Sequence, residues 1–144
     1  MKKLSFRLGI LMFVSAFGLV FSGCATLNPI ENLLGVYEGS YTGGNQGETA
    51  FTLNVYREGF YYYAVFNFYN LPGMTNAEIG SYFMSMNYNR QSNQWDLKGT
   101  QWIEQPIRGN YSFIDLQGVL KENNFSGITF FLGNRAGTFS GMRR

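Results

Sequence analysis

From Leu34 onward the sequence is a series of short runs rich in Tyr, Phe, Val and Thr, separated by clusters of Gly and Asn. Within these runs apolar residues alternate with polar ones, as at Phe51, Leu53 and Val55. Alternation with a period of two places apolar side chains on one face of a strand, whereas a helix needs a period of about 3.6. No apolar pattern of helical period lasts as long as a typical helix. The chain therefore predicts an all-β domain.

Eight runs qualify as strands, and most of their connections have the length of a hairpin turn. The predicted strands are Leu34–Tyr41, Glu48–Tyr56, Phe60–Tyr69, Ser81–Tyr88, Gln94–Trp102, Tyr111–Lys121, Phe125–Leu132 and Gly137–Arg143. The capping-box pattern at Thr75–Glu78 predicts a single helical turn. Because no connection is long enough to hold a crossover helix, consecutive antiparallel pairing is the simplest topology.

Glycines favour closure of this sheet into an eight-stranded antiparallel meander barrel. In five strands a Gly follows an apolar residue two positions later: Gly39, Gly99, Gly118, Gly127 and Gly141. A Gly beside a large neighbour permits sharp curvature and leaves room for a ring from across the barrel. A bulge is also predicted at Gly99. The similar sequences at 35–39 and 137–141 predict that the first and last strands lie side by side. An open sheet or a two-layer sandwich is the alternative.

The strand pattern is loosely similar to small meander barrels such as lipocalin-like and avidin-like proteins. The similarity is one of architecture, since no ligand motif of either group matches this chain residue by residue. No binding site is therefore carried over from them.

The N-terminus has the organisation of a secretory signal peptide. Lys2, Lys3 and Arg7 precede an apolar stretch, Leu8–Phe21, of fourteen residues. That length is short for a transmembrane helix, which needs roughly 20 residues. The stretch ends in Phe21-Ser22-Gly23-Cys24, which resembles the lipobox of bacterial lipoproteins. The resemblance implies cleavage before Cys24 and attachment of acyl chains such as palmitate to its thiol and new amino terminus.

Two other interpretations of this segment remain: an ordinary cleaved signal with a coincidental Cys, or an uncleaved membrane helix. Under the lipoprotein interpretation, residues 1–23 are the signal peptide, 24–33 are the lipidated Cys with a short polar tether, and 34–144 are the all-β domain. Residues 25–32 span at most about 28 Å when extended, so the domain lies close to its membrane. Ala25 after the Cys implies, by the same resemblance, the outer membrane in a cell with two membranes. Otherwise we expect the outer face of the cell membrane.

The positive net charge belongs to the signal peptide. The whole chain has eleven basic and nine acidic residues. Removing Lys2, Lys3 and Arg7 leaves eight basic residues against nine acidic ones, a net charge of −1. Without a basic patch the mature chain lacks the electrostatic footprint of a nucleic-acid-binding protein, so we expect no nucleic-acid partner.

The composition excludes most catalytic and metal-binding arrangements. The chain has no His and a single Cys, which removes Ser–His triads, His general bases and thiolate zinc sites. No phosphate-binding glycine loop is present. We therefore expect no metal, no cofactor and no enzymatic activity.

Carboxylates keep one catalytic alternative open, because glycoside hydrolysis needs only two of them. The candidates on or beside strands are Glu38, Glu48, Asp96, Glu104 and Asp115. Asp115 stands out because Phe113, Ile114 and Leu116 flank it. Either its side chain points inward or the strand bulges there. A surface or hydrogen-bonded structural role is the favoured interpretation.

Aromatic residues are the positive functional signal. The chain holds ten Tyr, fourteen Phe and two Trp, more than one face of a small barrel can absorb. Core packing and β propensity explain most of them, but some rings should be exposed or line a cavity, where a ring with a polar tip suits a sugar or a protein contact. The predicted ligand-binding residues are Tyr61, Tyr63, Trp95, Trp102, Glu104 and Arg108.

We therefore predict a cell-envelope lipoprotein that acts as a non-catalytic binding module for a small ligand or a glycan. The alternatives are an envelope protein-interaction or inhibitor lipoprotein, docking through an edge strand or loop, and a carboxylate-based hydrolase. An open cavity with converging Tyr and Asn groups would favour ligand binding. A barrel interior filled with side chains would favour the interaction role. Two carboxylates facing each other across a cleft would favour the hydrolase.

Overall fold

The computed structural model describes residues 28–44, 47–69, 79–106 and 111–144. Within these ranges the chain forms a short helix followed by eight strands. Their bounds are α1 (Pro29–Leu33), β1 (Gly35–Gly44), β2 (Gly47–Glu58), β3 (Tyr61–Tyr69), β4 (Gly80–Asn89), β5 (Gln94–Glu104), β6 (Ile114–Lys121), β7 (Asn124–Phe131) and β8 (Asn134–Arg143). In the described part of the chain, no helix is long and apolar enough to cross a membrane.

The eight strands form a closed antiparallel barrel in which each strand pairs with its neighbours in the sequence. The first and last strands also pair, from Tyr37 opposite Arg143 to Tyr41 opposite Phe139. The predicted meander barrel is therefore confirmed, and no open sheet or sandwich forms. Three strands begin later than predicted: β1 begins at Gly35 and not at Leu34, β3 begins at Tyr61 and not at Phe60, and residues 111–113 precede β6. The helical turn predicted at Thr75–Glu78 lies outside the described residues.

Glycines make room for neighbouring backbone and for rings, as predicted. Gly39 lies opposite Gly141 in the ladder that closes the barrel, where a Cβ on Gly39 would come within 1.8 Å of the Ser140 carbonyl oxygen. A Cβ on Gly118 would lie 2.6 Å from the Phe139 ring. Real Cβ atoms do not approach other atoms so closely, so a larger residue at either position would displace a strand or a ring.

Side chains from all eight strands fill the described interior. Aromatic rings meet across it: Phe51 stacks on Phe66 with ring centroids 5.2 Å apart and also touches Phe139 at 6.3 Å. The inward residues alternate along each strand, as the period of two predicted. They include Tyr37, Tyr41, Phe51, Leu53, Val55, Ala64, Phe66, Phe68, Tyr82, Met84, Trp95, Leu97, Ile114, Leu116, Phe125, Thr129 and Phe139. Most of the aromatic side chains inside the barrel therefore serve to pack its hydrophobic core.

The ladder between β5 and β6 is the shortest in the barrel, with Trp95–Leu97 paired to Leu116–Gly118. Beyond it β5 pairs with β4, and a register shift leaves Thr100 as an extra residue. The bulge predicted at Gly99 therefore forms one residue further along. The Asp115 carboxylate accepts a hydrogen bond from the Gly99 backbone N–H at 2.9 Å. Asp115 thus has the structural role that the sequence favoured, bridging two strands where their ladder stops.

The short helix α1 departs from the sequence analysis, which placed a polar tether through Asn32. Asn28 caps it by accepting a hydrogen bond from the Ile30 N–H at 3.2 Å, and Pro29 occupies the first turn, where a proline costs no hydrogen bond. Leu33 is fully buried, and its carbonyl accepts a bond from the Tyr37 hydroxyl at 3.0 Å. A five-residue helix carries too little periodicity to be recognised in a sequence.

Helix α1 packs at the barrel end where β1 begins, which we call the helix end. The β2–β3, β4–β5 and β6–β7 turns and the end of β8 lie at this same end, because the strands alternate in direction. The β1–β2 and β7–β8 turns lie at the opposite end, which we call the far end. The two barrel ends are closed in different ways, and that difference positions the candidate site.

Candidate functional site

An open depression with a volume of about 460 Å³ lies at the helix end of the barrel. Helix α1 forms one wall, and residues at or beside the β4–β5 and β6–β7 turns form the others. The residues that line it are Pro29, Glu31, Asn32, Tyr88, Asn93, Trp95, Leu120, Glu122 and Arg143. They come from segments far apart in the sequence, so only the closed barrel brings them together.

The aromatic surface of the depression comes from Tyr88 and Trp95, which pair across β4 and β5. Their ring centroids are 4.7 Å apart and the planes are tilted by 40°. Trp95 is buried, so Tyr88 is the more accessible of the two rings. The Tyr88 hydroxyl donates to the Asn93 side-chain oxygen at 2.5 Å. The site therefore combines an aromatic base with an amide at its rim.

Two of the charged residues at the rim are already committed to structural bonds. The Arg143 guanidinium donates to the Tyr37 hydroxyl at 3.1 and 2.6 Å and also to the Asn32 carbonyl. The Glu31 carboxylate accepts from the Tyr62 hydroxyl and pairs with Arg57 at 3.1 Å. These bonds fix α1 against β2, β3 and β8, so the wall of the depression is preformed.

Glu122 is the rim residue with the most freedom to meet a ligand. It is exposed, and it forms no hydrogen bond or ion pair with another residue of the described ranges. Its backbone has φ 55°, and Asn93 on the facing turn has φ 53°. Asn tolerates this left-handed region, whereas a residue such as Glu seldom occupies it. Two turns with left-handed residues therefore hold a carboxylate and an amide over the depression.

Burial and hydrogen bonding keep the nearby phenols in their neutral form. The pKa of Tyr37 is raised mainly by burial, with a smaller opposing effect from Arg143. The pKa of Tyr62 is raised first by its hydrogen bond to the Glu31 carboxylate and then by burial. Both hydroxyls therefore remain hydrogen-bond donors at neutral pH, as their bonds to Leu33 and Glu31 require.

The structure separates the site residues that the sequence predicted. Trp95 lies in the depression, but Trp102 is at the other end of β5, among the rings of Tyr82 and Phe113 at 5.2 and 4.9 Å. Glu104 is exposed at the end of β5. These three residues therefore do not form one cluster.

The two tyrosines that the sequence selected lie on the outside of β3. Tyr61 is exposed at the start of the strand, and Tyr63 is half-buried with its ring stacked on Tyr56 at 5.4 Å. Neither lines the depression. Arg108 and Cys24 lie outside the described residues, so their predicted roles stay predictions.

Sequence reasoning missed Tyr88, Asn93, Glu122 and Arg143. A signal was present, because polar turn clusters occur at 89–93 and 122–124. In a meander barrel every second turn lies at the same end, so these two turns had to be neighbours at the helix end. What the sequence could not indicate was that α1 would complete the wall.

A second exposed feature is the edge of β5 beyond the β5–β6 ladder. Among the described residues, the ladder partners of residues 98–104 all lie on β4, and register shifts leave Thr100 and Ile103 unpaired. The Gly99 N–H donates to the Asp115 carboxylate. Ile103 lies in this stretch with 51% of its surface exposed. Strand edges with free N–H and C=O groups can accept another strand.

Three of the other candidate carboxylates have structural partners. Glu38 pairs with Arg144, Glu48 accepts from the Ser40 hydroxyl at 2.5 Å, and Asp96 accepts from the Gln117 amide at 2.8 Å. Within the described ranges no three acidic, Cys or His side chains gather as a group that could hold a metal ion.

Comparison of the chain with protein families, with curated proteins and with solved structures gives no match. The argument for function therefore rests on the barrel and on the surfaces it presents.

Proposed function

We propose that this protein is a non-catalytic binding module of the cell envelope, held there by a lipid on Cys24, and that it binds a glycan or a similar small polar ligand in the depression at the helix end. One observation carries the proposal. The described barrel interior is filled with side chains, which by itself favours the interaction role, but the depression at the helix end combines the Tyr88–Trp95 pair with Asn and Glu side chains at its rim.

The chemistry of the rim suits an uncharged ligand rich in hydroxyl groups. Glu31, Glu122 and Arg143 carry charges of both signs, so no strong field of one sign selects an ion. A carboxylate accepts hydrogen bonds from hydroxyls, an amide both accepts and donates them, and an aromatic ring offers an apolar face to a sugar. The volume of about 460 Å³ lies within the usual range for small-ligand sites.

Binding is tested by titrating the purified protein with a panel of envelope glycans and following affinity by calorimetry. Glu122→Gln and Asn93→Gly each remove a rim group, and Gly keeps the left-handed backbone at position 93. We expect about tenfold weaker binding for each, equivalent to about 1.4 kcal/mol. Tyr63→Ala, on the outer face of β3, is the control and should bind as the parent does. Equal affinity for the parent and both rim variants would contradict the proposal.

The same titration separates a binding module from a hydrolase, because two carboxylates, Glu31 and Glu122, line the depression. Glu31 is already paired with Arg57 and Tyr62, which favours a structural role for it. We expect the bound glycan to be recovered intact after prolonged incubation. Release of new reducing ends, abolished in Glu122→Gln, would identify a hydrolase instead.

The anchor rests on the resemblance of Phe21–Cys24 to a lipobox. Acyl chains hold a protein at a bilayer because each buried methylene contributes about 0.8 kcal/mol. We expect Cys24→Ala to move the protein from the membrane to the soluble fraction of the cells. An unchanged membrane fraction would remove the anchor from the proposal.

A second candidate function is docking of an extended protein segment on the edge of β5 beyond its ladder with β6. The observation that favours it is the early end of the β5–β6 ladder, which leaves residues 98–104 paired on one side among the described residues. An added strand would supply backbone hydrogen bonds along this edge. A photo-crosslinking residue at Gln101 should then capture a partner in cells, and Ile103→Lys should abolish the adduct. Equal adducts with and without Ile103→Lys would rule this edge out.

A further inference from the structure

The turn between β2 and β3 exposes two adjacent aromatic side chains at the helix end. Phe60 has 90% of its surface exposed and Tyr61 has 71%. Neither is needed for the turn itself, because Gly59 supplies its positive φ of 60°. A fully exposed Phe is unfavourable in water, so two neighbouring exposed rings on a hairpin tip point to a contact outside the barrel.

The start of the domain lies at the same end. Three residues lie between Cys24 and Asn28, where the described chain begins and caps α1. The four Cα–Cα steps from Cys24 to Asn28 reach at most about 14 Å. A lipid on Cys24 would therefore hold the helix end, and not the far end, close to the bilayer surface.

The β2–β3 hairpin would lie close to the membrane as well, because helix α1 is bonded to it directly. Glu31 of α1 pairs with Arg57 of β2 and accepts from the Tyr62 hydroxyl of β3. The Asn32 carbonyl accepts from Arg143, and Leu33 is fully buried. The segment that leads to the lipid and the hairpin that carries Phe60 and Tyr61 therefore form one packed unit.

We propose that the tip of the β2–β3 hairpin at the helix end contacts the bilayer and that Phe60 and Tyr61 insert at its water–lipid interface, an inference that rests on the lipid anchor in the proposed function. Aromatic rings, and those with a polar tip above all, favour this interface because one part enters apolar surroundings while the other stays hydrated. The β4–β5 and β6–β7 turns, which border the depression, are not part of this contact.

The test compares two hairpin tips of the intact lipoprotein. With Cys24 lipidated, Phe60→Cys and Leu132→Cys each introduce the one free thiol of the chain. Leu132 is the matched control, since it lies on the β7–β8 turn of the far end with 71% of its surface exposed. Each thiol is labelled with a polarity-sensitive fluorophore, and the protein is reconstituted in vesicles of phosphatidylethanolamine and phosphatidylglycerol.

We expect the fluorescence emission of the label at position 60 to shift to shorter wavelength. We also expect nitroxide lipids to quench this label at least about threefold more strongly than the label at position 132. Equal quenching at both positions in protein that sediments with the vesicles would overturn this inference and leave the anchor intact. Protein that does not sediment with the vesicles would overturn the anchor and this inference together.

Discussion

Tyr37 and Tyr82 hold equivalent places at opposite ends of the barrel. Each is the third residue of its strand, counted from the end where that strand begins, and each is buried. Each hydroxyl donates to a backbone carbonyl of a segment that closes its end: Leu33 of α1 at 3.0 Å, or Ile114 of β6 at 2.8 Å.

The two hydroxyls differ in what donates to them. Tyr37 accepts from the Arg143 guanidinium, which also lines the depression. Tyr82 accepts from the Ile114 N–H at 3.1 Å and lies among the rings of Phe66, Trp102 and Phe113. The helix end is thus closed by polar side chains beside an open depression, whereas the described part of the far end is closed by ring packing. A polar closure can take up a ligand without opening the core.

The largest effect is expected from Tyr82→Phe. Its hydroxyl satisfies both the N–H and the carbonyl of buried Ile114 where the β5–β6 ladder has stopped. Leaving two buried backbone groups without partners should lower the free energy of unfolding by about 2–4 kcal/mol. Urea unfolding followed by far-UV circular dichroism measures it. A loss no larger than that of Tyr37→Phe would break the comparison between the two ends.

Alkaline pH should lower the stability of the fold mainly through Tyr82. Burial raises the pKa of Tyr82 well above its ordinary value of 10.0 and also raises that of Tyr37. The folded state therefore holds these protons more tightly than the unfolded state. Stability should be unaffected below pH 10 and should fall above it, by up to about 1.4 kcal/mol per pH unit for each group. Tyr82→Phe should flatten this dependence more than Tyr37→Phe does, as urea unfolding at several pH values would show.

Tyr37→Phe should cost less, about 1 kcal/mol, because the half-buried Arg143 that loses its acceptor can turn toward water. The change should also loosen α1, since it removes the bond to Leu33. Hydrogen exchange would detect this as faster exchange at the Glu31 N–H, which bonds to the Asn28 carbonyl at 2.9 Å. Unchanged exchange there would show that burial of Leu33 alone holds the helix.

The smallest effect concerns the left-handed residues at the two ends. Glu122 at the helix end has φ 55° and Leu132 at the far end has φ 49°. Replacing either with Gly relieves the steric cost of this region, and each variant should be more stable by about 0.5 kcal/mol. Glu122→Gly should weaken glycan binding while Leu132→Gly leaves it unchanged. Loss of affinity in both variants would show that the effect is not confined to the depression.

The inward faces of the strands were predictable because they depend on local pattern. Phe51, Leu53 and Val55 alternate along β2 and are all buried. The glycines behaved as predicted for a related reason: a missing Cβ makes room for a close neighbour, which is the facing backbone at Gly39 and the Phe139 ring at Gly118. Likewise the Thr100 bulge follows from a Gly visible in the sequence.

The candidate site was predictable only in part. Trp95 was selected for its ring and does line the depression, but Trp102 was selected beside it and packs at the far end. The predicted strand Gln94–Trp102 already has the two residues near its opposite ends, so grouping them in one site conflicted with the strand assignment. The depression also depends on α1, whose five residues were expected to be a tether.

The sequence by itself determined an all-β meander of eight strands and the alternation of its faces, because side-chain periodicity and turn residues act between near neighbours. It favoured closure over an open sheet or a sandwich, and the structure decided between them. The tertiary structure alone decided that Glu31, Tyr88, Glu122 and Arg143 meet at one surface. It also decided that hydrogen bonds close one end of the barrel and rings the other. These outcomes depend on contacts between residues as distant as Tyr37 and Arg143, which become neighbours only when the last strand pairs with the first.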